Sequence, residues 1–123
     1  AVLPLHTTAS GKVLMAHWQP IELDRFLRRR VLSARTARTT VHADRLRDEL
    51  ALVRERGYAI DDEEHEPGLR CVAALVRARN GSPYAALSVS DRISDLDRGR
   101  LFELGPTLVG AARELSENAR LTI

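Results

Sequence analysis

The apolar and polar positions divide this chain into short helices, a hairpin and one long helix. Val2-Leu3-Pro4-Leu5 reads as an extended segment, because Pro4 holds Leu3 out of the helical region. The small polar run from His6 to Lys12 opens into Val13-Leu14-Met15-Ala16. A Thr or Ser before such a run is an N-cap signal, so a first helix is predicted from near Thr8–Ser10 to near Trp18. Pro20 suits the first turn of a second helix, with Leu23, Phe26 and Leu27 on its apolar face. Asp44 starts or precedes a third, whose stripe is Leu46, Leu50 and Val53 and whose C-cap is Gly57. Tyr58-Ala59-Ile60 predicts a short strand. Cys71 to Val76 predicts a second strand, Asn80-Gly81 a hairpin and Pro83 to Ser90 the returning strand. On that strand Ala86, Ser88 and Ser90 share one face, and Leu87 and Val89 the other. Asp97 caps a last helix with the stripe Leu101, Leu104, Leu108, Ala111, Ala112 and Leu115. Gly105-Pro106 should bend this helix without breaking it, since the stripe keeps phase across them. The tail from Asn118 to Ile123 is expected to fray. Segregated helices and an antiparallel pair predict an α+β domain.

Composition narrows the classes. At 123 residues the chain is one domain at most. A hydrophobic share of 44% and a charged share of 29% are those of a soluble globular protein. A net charge of +2 does not make a nucleic-acid surface. The arginines from Arg25 through Arg28, Arg29, Arg30 and Arg35 to Arg38 read as a solvated face and loop; the sharper reading is a contact with the acidic run at 61–66. One cysteine excludes an internal disulfide and fits a cytoplasmic, reducing compartment. No apolar run approaches the ~20 residues of a membrane span. The chain opens without Met in an apolar run that is not a signal peptide, which reads as a piece of a longer protein.

The densest chemistry lies in Asp61-Asp62-Glu63-Glu64-His65-Glu66-Pro67-Gly68-Leu69-Arg70-Cys71. Cys71 with His65 or His6 could form a nucleophile–base pair, but a small residue opening an apolar strand is more often simply buried. Asp61, His65 and Cys71 are three possible metal donors, whose spacing matches no closed zinc signature. Carboxylates this concentrated are usually solvated. Ser10-Gly11-Lys12 lacks the glycines of a phosphate loop. What survives is a binding pocket. The N-terminus of the first helix would present N–H groups of Ala9 and Ser10. The loop near Asp61 and the strand residues Cys71, Ser88 and Ser90 would close around a small carboxylate.

Three stretches carry a family resemblance: Leu3-Pro4-Leu5-His6-Thr7-Thr8-Ala9-Ser10-Gly11-Lys12 with Leu14-Met15-Ala16; Arg56 through Cys71; and Ala85 to Ser90 with Ile93-Ser94. Together they resemble the effector domain of the isocitrate-lyase-regulator (IclR) family of bacterial transcription regulators, over nearly the whole chain. The resemblance implies a GAF-like antiparallel sheet with helices packed on it, incomplete at its N-terminal side. Residues 1–123 would then be part of one ligand-sensing domain, with the winged helix-turn-helix that binds DNA outside this chain. It implies a small-molecule effector, a carboxylate or aromatic acid, lying against Ala9, Ser10, Asp61, Leu69, Cys71, Ser88 and Ser90. It also implies a homodimer or homotetramer, no catalysis and no cofactor, and it leaves a metal near the acidic loop open. Backbone N–H groups of Ala9 and Ser10 and the hydroxyls of Ser88 and Ser90 would hold the anionic end, with Leu69 and Cys71 as a size-limiting wall. The alternatives are a small cytosolic enzyme using Cys71 and His65, and a purely structural oligomerisation module.

Overall fold

A computed structural model describes residues 5–29 and 31–118; of the extended segment expected at Val2–Leu5 only Leu5 is described, and it lies in a turn, while nearly all of the fraying tail lies outside them. Among these residues, four helices and three strands follow one another: α1 (Ala9–Met15), α2 (Pro20–Arg29), α3 (Ala43–Arg56), β1 (Tyr58–Asp62), β2 (Leu69–Arg77), β3 (Pro83–Arg92) and α4 (Arg98–Asn118). The strands form one antiparallel sheet in the order β1-β2-β3. This is the α+β arrangement that the pattern predicts.

The sheet separates two cores. Cys71, Ala73 and Leu75 alternate with Val72, Ala74 and Val76 along β2, so each set faces a different layer. On the first face lie α1 and α3, with Ala9, Val13, Met15, Leu46, Leu50, Val53, Ala59 and Ala73 buried together. On the second lies α4, packing Leu101, Leu108 and Ala112 against Val72, Ala74 and Val76. α2 has no fully buried residue. It leans on the first core through half-buried Leu23, Phe26 and Leu27, and Phe26 meets Trp18 edge to face at 5.5 Å between ring centres.

Several local signals act as their chemistry dictates. The Thr8 hydroxyl accepts from the Gly11 N–H at 3.0 Å and caps α1. Asp97 caps α4 by accepting from the Arg100 N–H at 2.8 Å. Gly57 ends α3 with φ 91°, the left-handed conformation that glycine adopts without penalty. Asn80 and Gly81 sit in a turn closed by the Ala78 N–H donating to the Ser82 carbonyl.

Five expectations change. α1 ends at Met15, not Trp18, because His17 and Trp18 N–H groups turn back to Leu14 and Met15 in tighter bonds. β1 extends through Asp61 and Asp62, and β2 starts at Leu69, since Asp62 pairs across the ladder with Arg70. β3 likewise continues past Ser90 to Arg92, which lies opposite Leu69. The α4 stripe does not include Leu115, which is 43% exposed. Its inward positions run Leu101, Gly105, Leu108 and Ala112. The next one falls to Ser116, whose hydroxyl accepts from the Arg77 N–H at 2.8 Å.

α4 runs unbroken through the exposed Pro106. Beside it, Gly105 faces the Tyr58 ring so closely that a Cβ would fall 2.5 Å from a ring carbon. Gly105→Ala therefore forces α4 off β1. Overpacking of this kind costs about 1–3 kcal/mol, outweighing the ~1 kcal/mol gain in helix propensity. A urea unfolding midpoint that rises in this variant contradicts the packing described.

Candidate functional site

The site begins with Lys12, which stands on the buried stripe of α1 beside Ala9, Val13 and Ala16 and is fully buried. Its ammonium donates to Glu49 of α3 at 2.5 Å and to Glu64 of the β1–β2 loop at 2.8 Å. Burial works to lower the Lys12 pKa. The carboxylates of Glu64 and Glu49 outweigh it and hold the ammonium above its ordinary value. One cation against two carboxylates leaves the cluster net negative. Glu64 accordingly sits above the usual carboxylate range, raised by burial and by Glu49 against the pull of Lys12.

The loop that supplies Glu64 is tied from every side. The Asp61 carboxylate accepts from the Glu64 N–H at 2.8 Å and the His65 N–H at 3.2 Å. Thr36 donates to the Glu63 carbonyl and Thr39 to the Glu64 carbonyl, each at 2.6 Å. Thr7 bonds the His65 ring at Nδ1 at 2.7 Å. Glu63 takes φ 59°, uncommon outside glycine, and its side chain accepts from the Gly68 N–H. Asp62 pairs with Arg70, Arg98 and Arg38. Burial pushes its carboxyl up, but bonds from Arg70 and Arg98 prevail and hold it below the usual range.

The acidic run is thus structural where its sequence suggests solvation. Of the basic run, Arg25, Arg28 and Arg29 are exposed as expected, whereas Arg38 reaches Asp62 and Glu63, and Arg35 the His65 carbonyl.

The candidate residues fall on one end of the first face. Asp61, Cys71 and Ser90 occupy successive strands at one register position, and Ser88 lies opposite Ala73 one step along. α1 packs over all three strands above them. Ser88 and Ser90 are exposed, Ser10, Leu69 and Cys71 half-buried, and Asp61 buried. Ala9 belongs to the core with no exposed surface. Among the described residues nothing accepts from the Ala9 and Ser10 N–H groups, whereas the Gly11 and Lys12 N–H groups are taken by Thr8.

The arrangement offers hydroxyls and free N–H groups but no activated nucleophile. Burial raises the Cys71 thiol pKa, hydrogen bonds from Ser90 and Ser88 offset part of this, and Asp61 adds to it. His65 bonds Thr7, and His6 bonds the Ser33 carbonyl at 2.8 Å, so neither is spent on Cys71. Among the described residues no group of three His, Cys, Asp or Glu side chains is placed to hold a metal.

Sequence reasoning missed Lys12 and Glu64. The signal was present, since a lysine on an apolar helical stripe requires a buried carboxylate. Its partners lie in distant parts of the chain, and the sequence does not say which they are.

A three-stranded sheet with helices on both faces is a fold that known transcription regulators share. The family model for the bacterial transcriptional regulator IclR C-terminal domain matches residues 1–117, and the chain belongs to that family. The transcriptional repressor IclR of Escherichia coli K12 is 39% identical over 114 residues, covering 93% of this chain and 42% of the repressor. The repressor BlcR of Agobacterium tumefaciens superposes with a TM-score of 0.87 at 33% identity, over 96% of this chain and 48% of that one. A double mutant of the inducer-binding domain of Acinetobacter PobR, solved with 3-hydroxybenzoic acid, has a TM-score of 0.85 at 24% identity, over 98% and 69%, and shares the fold. The chain therefore spans less than half the length of these two repressors. The relatives are transcription regulators, not enzymes. No helix among the described residues is long and apolar enough to cross a membrane.

Two measurements test this account. Lys12→Met leaves Glu64 and Glu49 without their cation, a loss of about 3–5 kcal/mol in unfolding free energy near neutral pH. Protonation of the raised Glu64 carboxyl neutralises the unpaired charge, so the deficit narrows as pH falls through its folded pKa; a pH-independent deficit contradicts the charge account. Cys71, its thiol pKa raised and its side chain half-buried, alkylates more slowly at pH 8 in the folded chain than in urea. Faster reaction in the folded state would restore the enzyme reading.

Proposed function

We propose that this chain is the ligand-sensing part of a DNA-binding transcription regulator and binds a small carboxylate or aromatic acid without transforming it. One observation carries the reading: Asp61, Cys71 and Ser90 in one cross-strand row, with Ser88 beside it, beneath the start of α1. The serine hydroxyls and the Ser10 N–H meet the anionic end, the Ala9 N–H adds to them from its covered position, and Leu69 and Cys71 bound the ligand's size. Asp61 acts at one remove, since its carboxylate orders the loop. The PobR domain crystallised with an aromatic acid is a precedent on this fold. The specificity here rests on the residues of this chain.

The regulator acts in the cytoplasm, consistent with its one free thiol. Its DNA-binding domain lies outside residues 1–123, and it works as a homodimer or homotetramer. Half-exposed Leu52 and Phe102 line one concavity with Ile60 of β1 and favour self-association. Ligand alters DNA occupancy only through differential affinity for two states of the assembly. A hundredfold preference is worth about 2.7 kcal/mol.

A thermal-shift screen of small carboxylates and aromatic acids tests the reading. A binder raises the melting temperature, and Ser88→Ala or Ser90→Ala weakens it by about 0.5–1.5 kcal/mol, or roughly two- to twelvefold in Kd, for each lost hydrogen bond. No shift from any acid would leave a purely structural oligomerisation module. Product formation on prolonged incubation contradicts sensing.

A further inference from the structure

A second concave surface lies away from that row. A groove of about 590 Å³ opens at the hairpin end of the sheet, between the C-terminal ends of α3 and α4. At about 3.3 Å per residue, Arg77 is roughly 20 Å along β2 from Cys71. Arg54 of α3, Arg77 of β2, Arg79 of the hairpin and Arg113 of α4 all line it. None of these four forms an ion pair with any described residue. Arg25, Arg28 and Arg29 also form no ion pair with described residues, but they stand on the exposed face of one helix, whereas these four line one concavity.

We infer that this groove is a second anion site, separate from the proposed effector face, that takes a small phosphate ester with an apolar body. Three elements distant in sequence bring the guanidiniums together, so the fold assembles the charge rather than a local run. Four like charges around one concavity repel one another, and an anion relieves this. Guanidinium forks match phosphate oxygens in pairs, and four of them suit a dianion better than a monocarboxylate. Arg77 spends one nitrogen on the Gly81 carbonyl at 2.8 Å, which fixes its direction and leaves the rest of its fork. A bulge between Val76 and Arg77 re-aims the strand there. Leu75 and Val109 give the groove apolar lining, and its volume lies in the small-molecule range of about 300–1,000 Å³. One carboxylate, Glu117, stands on the lining and sets a limit to the negative charge admitted.

His17 lines the same groove and reports on it. Burial lowers its pKa, the bond to the Val13 carbonyl opposes this, and Arg77 and Arg54 lower it further. The test titrates phenyl phosphate, inorganic phosphate and a polyglutamate peptide into the full chain. Binding is read from the His17 ring resonances by NMR and from calorimetry at low and moderate salt. The expected result is saturable binding of phenyl phosphate, tighter than inorganic phosphate and weakened by salt. Arg54→Ser with Arg113→Ser lowers its affinity at least tenfold, and Arg79→Ser on the exposed hairpin lowers it independently of any effect on packing. Ser88→Ala leaves it unchanged, so failure here and failure of the effector reading are told apart. The inference is overturned by unsaturable shifts, by binding that survives the arginine substitutions, or by a preference for polyglutamate, which would mark a surface for an acidic protein.

Discussion

The buried Lys12 ammonium is the point on which the first layer of this domain depends. It joins α1 to partners 37 and 52 residues further along the chain, Glu49 of α3 and Glu64 of the loop between β1 and β2. A fully buried cation is tolerated only where carboxylates meet it, and their attraction must offset the loss of water around all three groups. The arrangement therefore fixes direction more than it adds stability. With Lys12 in place, α1 can sit over the sheet in one orientation, and the loop can present Glu64 inward in one conformation. Bonds with Thr36, Thr39 and Asp61 hold the same loop by its backbone, and Thr7 holds it by the His65 ring. That redundancy explains how Glu63 keeps a backbone conformation that a non-glycine residue seldom adopts.

What the sequence discloses follows from the range of the interactions. The Thr8 and Asp97 caps, the Gly57 C-cap and the Leu46–Leu50–Val53 stripe are set by residues three or four apart, and each stands where the pattern puts it. The apolar run of β2 is legible as a strand too, though it does not reveal that its two faces are covered by different helices. The strand ends were hidden because Asp61, Asp62 and Arg70 look like loop residues until they are seen pairing across the ladder. Leu115 was misplaced because the stripe's inward phase passes to Ser116 at the hairpin end.

The candidate site was legible through resemblance and only partly through residues. Its strand members share a face by simple alternation, so Ser88 and Ser90 are found from spacing alone. That Asp61 and Cys71 stand in the same row depends on the register of β1 and β2, which a single sequence does not give. The roles also sort differently once the geometry is known. Ser90 is exposed and Cys71 half-buried, whereas Asp61 turns its carboxylate into the loop and Ala9 is sealed in the core.

This sorting bears on how such a face can signal. Under the proposed function, a ligand on the Cys71–Ser90 row would touch α1 above it and the end of β2 below it. Both are bound to the same Lys12–Glu64 pair, directly or through the loop. A displacement of either therefore acts on a charge cluster, not on a compliant apolar contact. Charge pairs in a dry interior change energy steeply with distance. Such a cluster favours discrete arrangements over gradual ones, and discrete arrangements are what a sensor needs. Lys12 and Glu64 lie 52 residues apart in sequence, so their bond couples the helical layer to the sheet without running along the chain.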